Sequence, residues 1–425
     1  MNKYLSRAIK VVASLLIFTI IFNYLFGVRG VMKMAPSVTN VPYYNTFYDL
    51  PKNSIDGIVL GNSVAHRGWS DVTAWNESGM AVYSLATESQ PMPLTKYIIE
   101  EALKTQDLKF VVIELHGMRG NMFYYPSETF LRRITDIMPL SKNKVETAKA
   151  AYEYYNKIAD YRENVLKRGS SAELDEASLY LPFLKYHSRW QELEKADFDD
   201  CVSQTMSTYA AEHMCEIAYV DPMPYSEKFA YTAEAGELGD YQIETFTDLL
   251  EYLKKKDLQT IFVSFPSKMT QKEQKQINQS IEMIENFDYD KFSVCNMNSD
   301  DVYKGSNEGI NAELKIDWSV DFYGKDHVNS YGNIKTTEYL MNFIKKQVDI
   351  EDKRGDSKYA AWDKAYANYK KVMDKGWEKA KTLKPLASWQ KIGGWTEESW
   401  TKFKENVLSD KKAKKNKTTK NSKKK

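Results

Sequence analysis

The sequence predicts an α/β fold: a parallel sheet with helices on both faces. Two observations carry that prediction. Short apolar runs of strand length alternate with amphipathic stretches of helical length, and the run Lys109–Leu115 (KFVVIEL) has the uninterrupted apolar character of a central strand. The first run, Gly57–Leu60, stops abruptly at Gly61-Asn62-Ser63, as a buried strand does when it ends in a tight turn.

Taken in order, the chain opens with Lys3, Arg7 and Lys10 ahead of an apolar run, Val11–Phe26. Residues 9–28 are long enough to cross a bilayer as a helix. Gly27-Val28-Arg29-Gly30 lacks a small-x-small cleavage pattern, so an uncleaved anchor is preferred to a signal peptide. The expectation is a single-pass cell-membrane protein with residues 1–8 cytoplasmic and the body outside the cytoplasm. Residues 29–54, with Pro36, Pro42 and Pro51, read as a tether. Strands are expected at Gly57–Leu60, Met80–Ser84, Lys109–Leu115, Thr260–Phe265 and Lys291–Cys295. Helices are expected up to Lys104, over Gln242–Lys256 and Gln271–Asn286, and over Asn333–Lys346. Together they make one domain, 55–350. Its insertion, 120–236, is helical from Ser141 to Lys167 and is expected to cover the active edge of the sheet. Residues 351–405 form a helical extension whose Tyr359, Trp362, Tyr366 and Tyr369 share one packing face. Residues 406–425 form a lysine-rich tail expected to be disordered.

Composition excludes some classes of function. Net charge over 425 residues is +1, but the last fifteen carry nine lysines and no acid, which leaves residues 1–410 at −8. Basic charge confined to such a tail gives no support for a nucleic-acid partner. The three cysteines show no CxxC and no metal-ligand spacing; pairing of Cys201 with Cys215 and three isolated thiols both remain open. There is no P-loop and no dinucleotide fingerprint, and neither cofactor nor metal is expected.

Ser63 either caps the helix that follows or is lifted above the sheet end as a nucleophile. The second informative stretch is Asp321-Phe322-Tyr323-Gly324-Lys325-Asp326-His327-Val328-Asn329-Ser330-Tyr331-Gly332, just before an amphipathic helix. The pair resembles the serine and histidine blocks of the SGNH (GDSL-like) hydrolase superfamily. Gly61-Asn62-Ser63 matches the first block with Asn in place of the usual Asp, and His327-Val328-Asn329-x-x-Gly332 matches the last. The anchor, Tyr43-Tyr44-Asn45, Ser89-Gln90-Pro91, Tyr186-His187-Ser188-Arg189-Trp190 and Arg354-Gly355-Asp356 resemble a membrane-anchored bacterial branch of it. That branch is related to the teichoic-acid D-alanylation and alginate O-acetylation proteins.

The resemblance implies a three-layer SGNH-like domain and acyl chemistry through Ser63 and His327 on a cell-surface glycan or wall polymer. It also implies a multi-spanning membrane O-acyltransferase as partner. The usual orienting acid lies three residues before the histidine, where this chain has Gly324. Asp321, Asp326 or a backbone carbonyl remain as orienting groups. The usual asparagine after the third strand is missing from Glu114-Leu115-His116-Gly117-Met118-Arg119. Backbone near Ser63 and Ser89, with Gln90, Arg119, His66 and His187, supplies the remaining candidates for oxyanion and substrate binding; Arg119 pairing with an acid of the insertion is an equal alternative. His187 and Arg189 are expected on a lid over the site, and Trp190 in a core. A catalytically silent scaffold of the same fold is the rival reading.

Overall fold

The structure is a computed structural model that describes residues 3–27, 30–34, 42–164, 173–199, 229–318, 321–322 and 326–382. Five strands pair in parallel: β1 (Gly57–Leu60), β2 (Val82–Ser84), β3 (Phe110–Glu114), β4 (Thr260–Ser264) and β5 (Phe292–Asn296). Their order is β2-β1-β3-β4-β5, and each bound falls within two residues of the predicted run.

Alternation along the strands divides the core in two. Ile58, Leu60, Val111, Ile113 and Phe262 point into one cluster, with Ile98, Ile99, Phe246, Leu250 and Ile277 from the helices on that face. Val59, Val112, Ile261 and Val263 point into the other, with Val64, Ala74, Leu340 and Ile344. A parallel sheet covered on both faces needs apolar residues at consecutive positions, which is why β3 reads as one unbroken run.

From β1 the connection to β2 leads one way across the sheet, while β3, β4 and β5 extend the other way. The order therefore reverses at β1, which makes the carboxyl ends of β1 and β3 a topological switch point, the place where open α/β sheets bind ligands. Ser63 follows β1, and the Leu115–Met118 turn follows β3.

Two regions depart from expectation. The predicted tether is folded in part. Pro42–Asp49 is a helix whose Phe47 is 1% exposed in the core, and Val31, Met32 and Met34 are buried. Apolar residues at these positions give the segment something to bury, which the prolines concealed. The described part of the insertion joins the helical layer on one face. Its Lys142–Asn164 helix packs beside Thr95–Leu103, and Phe123, Leu131, Tyr154 and Leu179 enter the first cluster.

The C-terminal Ala360–Thr382 helix lies against Asp71–Ser78. Trp75 stacks on Tyr359 and Trp362 at 5.8 and 5.5 Å, and its Nε1 donates to Asp363 at 2.9 Å. Buried Asp56, at the start of the sheet, accepts from Lys353 at 2.5 Å and from the Ala81 N–H at 3.0 Å. At the other end of the chain, the Tyr4–Phe26 stretch of the Lys3–Phe26 helix is long and apolar enough to span a membrane, and the rest of the chain does not bury it. Cys201, Cys215, Trp389, Trp395, Trp400 and the lysine tail lie outside the described residues.

Candidate active site

The turn that carries Ser63 is built from backbone demands. β1 ends at Gly61, whose φ of +147° favours glycine; a Cβ there would meet the Glu114 Cβ at 2.4 Å. Asn62 follows as the N-cap, its side chain accepting from the Val64 N–H at 2.9 Å. Ser63 is thereby the first residue of the Ser63–Gly68 helix, partly exposed above the strand end. The loop after β2 fixes the turn from the side. Thr87 N–H donates to Gly61 O at 3.1 Å, while Gly61 N–H donates to Gln90 Oε1 at 2.9 Å. Gln90 in turn donates to Leu85 O at 2.8 Å.

His327 arrives from the far end of the domain. An isolated bridge between Phe322 and Val328 and a bond from Asn329 N–H to Asp321 O (2.9 Å) close its loop. Gly332 is required there, since a Cβ would lie 2.4 Å from Asp321 O. The Ser330–Gln347 helix is then bonded to the end of the serine helix. Asn333 Nδ2 donates to Arg67 O (2.7 Å), Thr336 Oγ1 to Gly68 O (2.7 Å), and Ser70 N–H to Thr337 Oγ1 (3.0 Å). The outcome is a distance of 2.8 Å between His327 Nε2 and Ser63 Oγ, across 264 positions of sequence.

Both candidate acids are engaged elsewhere. Asp321, fully buried, accepts from Lys335 Nζ (2.6 Å) and the Asp317 N–H (2.7 Å). Asp326 accepts from Ser267 Oγ (2.8 Å) and Arg119 (3.3 Å). Among the described residues, no carboxylate hydrogen-bonds His327. Burial, then the Arg67 charge, depress the His327 imidazole to about 4; Asp326 opposes them, and Arg119 and His116 add to the depression. The ring is therefore neutral at neutral pH, and in its Nδ1-protonated tautomer Nε2 accepts from the Ser63 hydroxyl.

No protein-family model matches this chain, and no curated protein matches it.

The remaining predicted residues fall into two groups. Near the dyad, Arg119 is 2% exposed, and its guanidinium lies 3.3 Å from Asp326 and 3.6 Å from Glu273, on the Gln271–Glu285 helix. Its acidic neighbours thus come from outside the insertion. Gln90 spends its amide on the serine turn, and Ser89 sits beside it with φ +56°, a strained backbone for a non-glycine residue. His66, a candidate for substrate binding, is fully buried on the serine helix. Away from the dyad, His187 is exposed and its Nδ1 pairs with Leu184 O at 2.9 Å. Arg189 binds Lys33 O and Asp197 rather than any dyad residue. Trp190, expected in a core, is 64% exposed.

Sequence reasoning missed Glu114 and His116. Both are fully buried at the tip of β3, with the Glu114 carboxylate against His116 Nδ1 and its backbone N–H. A charged residue closing an otherwise apolar central strand was the available signal, because such a group must find a partner there. Among the described residues, no group of three or more His, Cys, Asp or Glu side chains is arranged to hold a metal.

Proposed function

We propose that this chain is a membrane-anchored serine acyltransferase or esterase of SGNH type, working outside the cytoplasm on O-acyl groups of a cell-surface polysaccharide or teichoic-acid-like polymer. The observation that carries the reading is the 2.8 Å contact between Ser63 and His327, set at the point where the strand order reverses. In the proposed reaction Ser63 Oγ attacks the ester carbonyl carbon while its proton passes to His327 Nε2. Collapse of the tetrahedral intermediate breaks the acyl–oxygen bond, and the imidazolium returns the proton to the departing alkoxide. An acceptor hydroxyl or water, deprotonated by the same ring, then attacks the acyl carbon; the Ser63 Oγ–acyl bond breaks and the imidazolium returns its proton to Ser63 Oγ. Ser63 stands at the first helical position, so its backbone N–H has no intrahelical acceptor and is a natural donor to the developing oxyanion.

A second reading is a catalytically silent scaffold beside a multi-spanning membrane O-acyltransferase. The engagement of Asp321 and Asp326 away from His327 favours it. Release of p-nitrophenol from p-nitrophenyl acetate separates the two. The enzyme reading predicts turnover by the purified chain that S63A and H327A each reduce by about a thousandfold or more. Turnover unchanged in both variants, or absent from a folded wild type, contradicts it.

A further inference from the structure

The Lys3–Phe26 helix does not leave the rest of the chain freely. Phe22 and Phe26 pack edge-on against Phe183, with ring centroids 5.8 and 5.9 Å apart. Beyond Gly27 the backbone doubles back, so that Val31 N–H bonds Tyr24 O (3.0 Å) and Met32 N–H bonds Leu25 O (2.7 Å). Lys33 is therefore level with the helix end, and its carbonyl is held by Arg189, which also pairs with Asp197 at 2.7 Å. Two separate clamps thus fix residues 183 and 189–197 at the height of Phe22–Phe26.

That same segment carries exposed apolar side chains. Leu181, Leu184, Trp190 and Phe198 are 41%, 38%, 64% and 45% exposed. Outside the N-terminal helix, the other exposed large apolar residues among those described are Tyr125, Leu140, Val145 and Ile310. Four of eight therefore fall within 18 positions, each within two residues of a clamped one. A helix of 23 residues, Tyr4–Phe26, rises about 34 Å and fills a hydrocarbon core of about 30 Å. Its last turn lies at the edge of that core, and a ring touching both Phe22 and Phe26 lies within about 6 Å of the edge.

We propose that residues 181–198 form a membrane-contacting surface whose Leu181, Leu184, Trp190 and Phe198 enter the phospholipid interface beside the C-terminal end of the N-terminal helix. The proposal rests on that helix being a membrane span. An exposed Trp next to the charged Arg189 suits the boundary layer, where one end of the indole is apolar and the other hydrated. Such a contact holds the domain at a fixed height and tilt over the bilayer, which a flexible tether would not do.

Nitroxide labels test it on the full chain in a C201S/C215S/C295A background, reconstituted into phosphatidylcholine vesicles. Single labels enter through L15C, L184C, W190C and I310C. Power saturation then compares collisions with oxygen, which partitions into lipid, and with a water-soluble nickel chelate. Residues 15, 184 and 190 are expected to favour oxygen, and residue 310 nickel. Oxygen preference at 15 with nickel access at 184 and 190 overturns the contact surface and leaves the span intact. Shielding of 184 and 190 from both reagents means that protein covers them, and also overturns it. Nickel access at 15 removes the span and the proposal together. F198C supplies a third position on the surface if either L184C or W190C misfolds.

Discussion

At the scale of single residues, the site depends on an imidazole that stays neutral. Burial and the neighbouring Arg67 depress His327 to about 4, so the base form persists far below the ordinary histidine range near 6.5. The acid limb of kcat/KM for ester turnover is therefore expected near pH 4, and a limb near 6.5 contradicts this environment. The sign for stability follows from linkage. Between about 4 and 6.5 the unfolded chain binds the proton more readily, so this contribution to stability is lost as pH falls through that window. Gln90 reaches the Ser63 turn through Gly61 N–H, which on the proposed function makes it a positioning residue. Gln90→Ala is expected to slow Ser63 acylation about ten- to a hundredfold, while Gln90→Glu, which keeps an acceptor, restores part of the rate; equal loss in both variants contradicts the role. Ser63 and His327 were legible because a glycine-bounded strand end and a histidine before a helix leave local marks. The engagement of Asp321 by Lys335 was not, since the partner lies 14 positions away on a helix and only the closed loop turns the carboxylate toward it.

At the scale of elements, apolar period and run length located all five strands and the main helices of the domain. The clamps between helices were hidden. Thr336 and Thr337 look like ordinary helix positions, yet they bond Gly68 and Ser70 and hold the histidine helix on the serine helix. Asp71, at the start of the Asp71–Ser78 helix, is a buried carboxyl accepting from the Ser84 N–H at 3.0 Å. Burial raises it to about 7. A raised carboxyl stabilises the fold below its unfolded value near 4 and loses that contribution as pH rises through about 7. Asp71→Asn keeps the acceptor and removes the ionisation. It is expected to raise stability by about 3 kcal/mol at pH 8 relative to its effect at pH 5, measured by urea melts at the two values; an effect independent of pH contradicts the burial argument.

At the scale of the whole molecule, the sheet order gives the site its place. The reversal at β1 sets the switch point at the strand ends, and the Ser330–Gln347 helix, late in the sequence, is bonded to the serine helix beside it. Sequence showed that such a meeting was needed for any serine chemistry. It did not show that residues 30–34 double back onto the N-terminal helix, because backbone bonds from Val31 and Met32 leave no mark in side-chain pattern. Trp190, expected in a core, is exposed, and its place was hidden for a similar reason: apolar character alone does not distinguish an interior position from a surface one. The central claim is that two segments far apart in sequence meet to make one reactive hydroxyl. Peptide-level mass spectrometry after treatment of the full chain with a fluorophosphonate tests it most directly. The account predicts a single phosphonyl adduct on Ser63, abolished in His327→Ala although the hydroxyl is still present. An adduct on another serine, or one on Ser63 that forms equally fast without His327, contradicts it.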